Sequence, residues 1–227
     1  MQYVDDVLVG TTSDPVGTFS QIDVIALYTV GSITIEDIFV NITNPATFTD
    51  VPTTYWSWNF IERLYAAGIT GGCGAGNYCP ETAVSRGQMA VFLERGMNSS
   101  SYSPPPATGT VFGDVPTSYW SASWVEKLYA DGITGGCGGG NYCPDQAVSR
   151  AQMAVVLLRA KHGSSYTPPP ATGVFPDVPT SYWAAPWIEQ LFDEGITGGC
   201  GGGNYCPDQA VTRGQMAVFL VRTFELP

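Results

Sequence analysis

The stretch GGCGAGNYCP at residues 71–80 returns as GGCGGGNYCP at 135–144 and again at 198–207. What surrounds it returns as well. Ahead of each copy stands an aromatic–x–Asp–Val–Pro–Thr–x–Tyr–Trp segment, at 48–56, 112–120 and 175–183. Behind each comes Val–Ser/Thr–Arg–Gly/Ala–Gln–Met–Ala–Val, at 84–91, 148–155 and 211–218. Self-similarity at this period marks a modular array, and a module of roughly 50 residues rarely buries a full core alone. The three copies are therefore expected to share one core.

Each copy holds one Cys–x5–Cys pair. Without a histidine at ligand spacing, two cysteines make a poor zinc site, and the chain's single histidine, His162, is far from all three loops in sequence. The expected alternative is three local disulfides, Cys73–Cys79, Cys137–Cys143 and Cys200–Cys206, in an oxidising compartment. The chain-entropy account gives a loop this short roughly 2 kcal/mol per bridge. No metal and no cofactor is expected.

Only 13% of the residues are charged, and the net charge is −11. That balance argues against a nucleic-acid partner, which needs a basic footprint. No run is long and apolar enough for membrane insertion, and residues 1–10 lack the basic and apolar regions of a signal peptide.

Residues 1–44 read differently from the rest. Ile22, Val24, Ala26, Tyr28 and Val30 alternate, Gly31–Ser32 suits a hairpin turn, and Glu36–Asp37 breaks the register like a bulge. Two or three strands do not make a stable sheet unaided. This segment is expected to end a preceding domain or to pair with another chain. The first repeat follows at 45–97, a Pro-rich spacer at 98–109, the second repeat at 110–163, a second spacer at 164–173 and the third repeat at 174–227.

Within each repeat the period becomes helical. A first helix is expected from about Tyr55, with Phe60, Ile61, Leu64 and Tyr65 on one face and Gly68 as its left-handed cap. Trp124, Val125, Leu128, Tyr129 and Gly132 repeat the pattern, as do Trp187, Ile188, Leu191, Phe192 and Gly195. The second helix opens on a capping box, Ser85/Gln88, with Val84 and Met89 placed as a hydrophobic staple. Ser149/Gln152 and Thr212/Gln215 repeat it, flanked by Val148/Met153 and Val211/Met216. The two spacers, each with three consecutive prolines, read as extended polyproline-type chain outside the core.

Phe–x–Asp–Val–Pro, Tyr–Trp, Gly–Ile–Thr–Gly, Cys–Pro–Asp and Val–Thr–Arg–Gly–Gln, recurring in that order over about residues 46–227, resemble the S-layer homology repeat. The resemblance implies a mainly α fold, a pseudo-threefold bundle of three helix–loop–helix repeats with grooves between them. It also implies non-covalent anchoring of an extracellular surface protein to cell-wall polysaccharide, often a pyruvylated polymer. This chain departs from the family pattern in two ways: Gln88, Gln152 and Gln215 stand where a glutamate is usual, and the cysteine pairs are additional.

Arg86, Arg150 and Arg213 fall in the first turn of the second helices, where the helix dipole disfavours a cation. One offset is an ion pair with Asp50, Asp114 or Asp177. The other is an anionic ligand held by free helix amides and the guanidinium fork, and the resemblance points to the carboxylate of an acidic glycan. Trp56, Trp120 and Trp183 could stack on a sugar face or plug the core, and with the arginines and Asp50, Asp114 and Asp177 they make up the candidate glycan-binding set. Glu81, Asp145 and Asp208 read as turn caps. With no nucleophile–base pair and no phosphate loop, the segment is expected not to be an enzyme. Beside the anchor stands a second reading, a structural self-assembly module of a surface filament or lattice that pairs subunits through the N-terminal strands.

Overall fold

The computed structural model describes residues 46–227 and, in a separate unit ahead of them, two short strands. These are β1 (Gln2–Val4) and β2 (Val7–Val9), antiparallel, with Gln2 opposite Val9 and Val4 opposite Val7. They lie in the segment expected to form strands, but ahead of the stretch whose alternation suggested it. That stretch, with its Gly31–Ser32 turn and its break at Glu36–Asp37, lies outside the described residues.

The second unit is helical. Its elements are α1 (Trp58–Ala66), α2 (Arg86–Met97), α3 (Ala122–Ala130), α4 (Arg150–His162), α5 (Ala185–Asp193) and α6 (Arg213–Thr223), two per repeat. The second helices α2, α4 and α6 meet one another, and each also packs on the first helix of the next repeat: α2 on α3, α4 on α5, α6 on α1. One continuous apolar core runs through all three repeats, from Phe48 to Val221. At its centre three backbone hydrogen bonds close a ring. Val84 N–H donates to the Val211 carbonyl at 2.8 Å, Val211 N–H to Val148 at 2.9 Å, and Val148 N–H to Val84 at 2.9 Å. All three valines are fully buried, so each satisfies a donor and an acceptor that water cannot reach. The valines expected as staples thus also join the repeats.

The capping boxes form in all three second helices, with the Ser85, Ser149 and Thr212 oxygens accepting from the amide three residues on. The first helices begin three residues later than expected. Tyr55 N–H bonds to Pro52 O and Trp58 N–H to Tyr55 O, so residues 52–58 form turns, and Ser57 makes no side-chain cap. Their ends match the expectation: Gly68 has φ +69°, Gly68 N–H bonds to Tyr65 O, and Ile69 N–H reaches back to Leu64 O. This pair of bonds satisfies two end carbonyls of α1.

Two readings of burial are corrected. Ile61 and Leu64 are fully buried, but Tyr65, Tyr129 and Phe192 are exposed and pack edge-on against Phe48, Phe112 and Phe175. The spacers are also more than free chain. Pro104 and Pro168 are buried, Tyr102 packs on Trp124 and Tyr166 on Trp187, with ring centroids 6.1 Å apart in each. Glutamates at the first helices hold the far ends: Glu126 accepts from the Thr108 and Gly109 amides, Glu189 from those of Thr172, Gly173 and Val174.

Candidate functional site

The glycine-rich loops are closed by the three expected disulfides, each with Cα atoms 6.0 Å apart. Cys79, Cys143 and Cys206 take φ +58°, a conformation side chains resist. Asp50 explains how it is held: its two carboxylate oxygens accept from Tyr78 N–H and Cys79 N–H, both at 2.7 Å. Asp114 does the same for Tyr142 and Cys143, and Asp177 for Tyr205 and Cys206. These aspartates therefore shape the loops. Among the described residues they form no ion pair with the first-turn arginines.

Those arginines are buried, and each reaches into the next repeat. Arg86 Nε donates to the Tyr142 carbonyl at 2.7 Å, and the Tyr142 hydroxyl donates back to the Arg86 carbonyl at 2.9 Å. The guanidinium lies 4.7 Å from the Tyr142 ring centroid, a cation–π contact. Arg150 with Tyr205 and Arg213 with Tyr78 repeat the clamp. Burial pushes the pKa of all three tyrosines up, so each stays a hydrogen-bond donor.

The helix amides are not free for a ligand either. Arg86 N–H bonds to Gln146 O and Gly87 N–H to Pro144 O, while the Gln88 amide goes to Ser85 Oγ. Carbonyls of the neighbouring loop thus take the place expected for an anion, and they offset the helix dipole against the arginine.

A second ring of arginines was missed in the sequence: Arg95, Arg159 and Arg222, each nine residues after the first. Arg95 stacks over Trp124 at 5.4 Å and donates to Ile69 O at 3.3 Å. Arg159 lies over Trp187 and Arg222 over Phe60, with equivalent bonds to Ile133 and Ile196. Their spacing was a readable signal, but an arginine late in a helix suits the dipole and raises no question.

Between the repeats lies a groove of about 210 Å³ whose lining includes Thr70, Gly72, Gln88, Arg95, Trp120 and Arg213. It draws on all three repeats: loop and helix from the first, tryptophan from the second, the clamped arginine from the third. Two guanidinium groups line it and no carboxylate does. One amine of Arg213, and likewise of Arg86, has no hydrogen-bond partner among the described residues, whereas Arg150 Nη2 donates to Gly199 O at 3.1 Å. Trp56, Trp120 and Trp183 are 58–60% exposed, so they do not plug the core. Glu81, Asp145 and Asp208 accept from the hydroxyls of Tyr55, Tyr119 and Tyr182, which ties each loop to the turn carrying its tryptophan.

The profile of the S-layer homology domain matches residues 47–90, 111–154 and 174–217. A "Cell surface protein" of Thermoanaerobacter kivui is 26% identical over 181 residues, covering 79% of this chain and 21% of that protein. An "Endoglucanase" of a Bacillus species is 32% identical over 117 residues, 52% of this chain and 12% of that enzyme. A "Cellulosome-anchoring protein" of Acetivibrio thermocellus is 23% identical over 152 residues, 66% of this chain and 34% of its own length. The chain spans about a third or less of each of these relatives.

Proposed function

The chain belongs to the S-layer homology family, and from that premise we propose that it anchors a surface protein to the cell wall by binding an acidic polysaccharide in the inter-repeat grooves. The carrying observation is the groove's charge. A chain at net −11 lines this groove with Arg95 and Arg213 and no acid. In a partly desolvated groove the guanidinium groups favour a carboxylate or pyruvyl group, and the exposed Trp120 indole offers a face for the sugar ring. The glycine loop lets the ligand approach the backbone closely. Such a module would hold in place whatever it is joined to, which fits relatives named as a surface protein, an anchoring protein and an enzyme, and it needs no catalysis of its own.

The test is sedimentation with purified cell-wall sacculi. Trp56→Ala, Trp120→Ala and Trp183→Ala, singly and together, leave the core intact because the indoles are exposed. Each is expected to weaken binding, with the triple variant releasing the protein, while the melting temperature stays within a few degrees of wild type. Stripping the acidic polymer from the sacculi is expected to abolish binding, and raised salt to weaken it. Equal binding to stripped sacculi would sink the reading.

A further inference from the structure

The capping boxes fix more than the helix ends. Each needs an acceptor for the N–H of the capping residue, and either glutamate or glutamine supplies one. All three repeats use glutamine. Gln88 Oε1 takes the Ser85 N–H at 3.1 Å, Gln152 Oε1 that of Ser149 at 3.2 Å, and Gln215 Oε1 that of Thr212 at 3.3 Å. Since a backbone N–H can only donate, the oxygen must face it, and the Nε2 amide group is turned the other way. Gln88 is part of the groove wall, and its Nε2 donates to nothing among the described residues.

The charged side chains around that amide donate as well. Gln88, Val91, Phe92 and Arg95 form one stripe along α2, and all four line the groove. Arg213, from the third repeat, lies over the Phe92 ring at 5.7 Å from its centroid, one turn along from Gln88. It is 5% exposed, and one of its terminal nitrogens has no acceptor among the described residues. The arrangement recurs in the third repeat, where Arg150 lies over Phe219 at 5.6 Å, four residues after Gln215. Two acceptors of the groove wall are already engaged: the Ile69 carbonyl by Arg95, and Thr70 Oγ1 by the Gly72 N–H.

Resting on the anchor reading above, we propose that the capping glutamines set the preference of the grooves for an acidic over a neutral glycan. A glutamate would close the capping box as well, but with its second oxygen where Nε2 now stands. It would hand the guanidinium groups an acceptor of the protein's own. Glutamine leaves that role to the ligand. Gln88 Nε2, Arg95 and Arg213 then offer donors to a group that has acceptors and no protons, the carboxylate of an acidic sugar. A neutral sugar brings hydroxyls that must also donate, and these side chains give them no acceptor.

The probe is purified sacculi, either untreated or with their carboxylates converted to neutral methylamides, sedimented with the full chain. Wild type is expected to bind the untreated sacculi more tightly by about tenfold or more. In the variant Gln88→Glu/Gln152→Glu/Gln215→Glu that ratio is expected to fall about tenfold, the worth of one charge-assisted hydrogen bond, through weaker binding to untreated sacculi. Its melting temperature is not expected to fall, since glutamate keeps the capping box and suits a helix N-terminus. Thr82→Glu/Gln146→Glu/Gln209→Glu adds the same three charges at exposed positions outside the groove wall and is expected to bind like wild type. A ratio unchanged in the first variant, or lowered equally in the second, would overturn the inference and leave the anchor reading standing. Wild type that fails to sediment with untreated sacculi would overturn both.

Discussion

At the scale of single residues the least expected group is Glu94. Its side chain is fully buried on α2 where it faces α3, and one carboxylate oxygen has no partner among the described residues. The other accepts from Asn98, while Asp131 and Lys127 act on it through space. Burial pushes its pKa up to about 7. Below about pH 4.5 it is protonated both folded and unfolded, and stability does not depend on it. As pH rises from there to 7, the unfolded chain releases this proton and the fold retains it, so stability falls; above 7 the loss is complete. Its size is on the order of 3 kcal/mol at most. The equivalent positions carry Leu158 and Val221, so Glu94→Leu should fit. That variant is expected to match wild type near pH 4.5 and to exceed it increasingly up to pH 8 in thermal melts. A wild-type-minus-variant difference that stays flat with pH would rule out Glu94 as the source. The first-turn arginines show what was legible at this scale. Their repeated, dipole-opposed placement announced that something offsets them. It could not announce a tyrosine 55–135 residues away in the neighbouring repeat.

At the scale of elements, the second helices could be read to the residue because capping boxes are local. The first helices could not, since their entry is set by turns and by tyrosine–carboxylate bonds between residues 26 apart. How the helices fit together is recorded in a covarying pair. Gly87 faces Ser121 and Gly214 faces Ser57, but in the seam between the second and third repeats the pair is Ala151 and Ala184. A Cβ on Gly87 would lie 2.9 Å from Ser121 Oγ, while Gly87 N–H and Ala151 N–H make the same 2.8 Å bond to a loop proline carbonyl. The backbone is thus alike and only the facing side chain differs. Gly87→Ala alone is expected to destabilise by about 1 kcal/mol, an overpacking cost. Adding Ser121→Ala is expected to recover it, and also removes a buried hydroxyl that has no partner among the described residues. Denaturant melts of the two single variants and the double variant give the coupling; additive effects would mean the pair does not touch as described.

At the scale of the whole molecule, the repeat and the shared core followed from periodicity, whereas the seating of the spacers did not, because composition reports flexibility and not docking. Reducing the three disulfides is expected to leave the helical circular-dichroism signal nearly unchanged and to raise proteolysis at the glycine loops. The helices keep their own caps, and Asp50, Asp114 and Asp177 still hold the loop amides. Loss of the helical signal on reduction would show that the bridges hold the core itself. We also propose that deleting residues 1–44 leaves the remainder folded, since the described core lies within residues 48–226. A melting temperature within a few degrees of the full chain checks this, and an unfolded product refutes it. The closed ring has one more consequence, and it concerns time. Two of its seams join an arginine to a tyrosine 56 and 55 residues on, but the third joins Arg213 to Tyr78, 135 residues back. Long-range closure is the slow step in folding. On a chain emerging N-terminus first, the Arg86–Tyr142 seam can close once two repeats are out, whereas the Arg213–Tyr78 seam must wait for the last repeat. Because the groove takes residues from all three repeats, a partly emerged chain would lack the proposed binding site, which is completed only with the final helix.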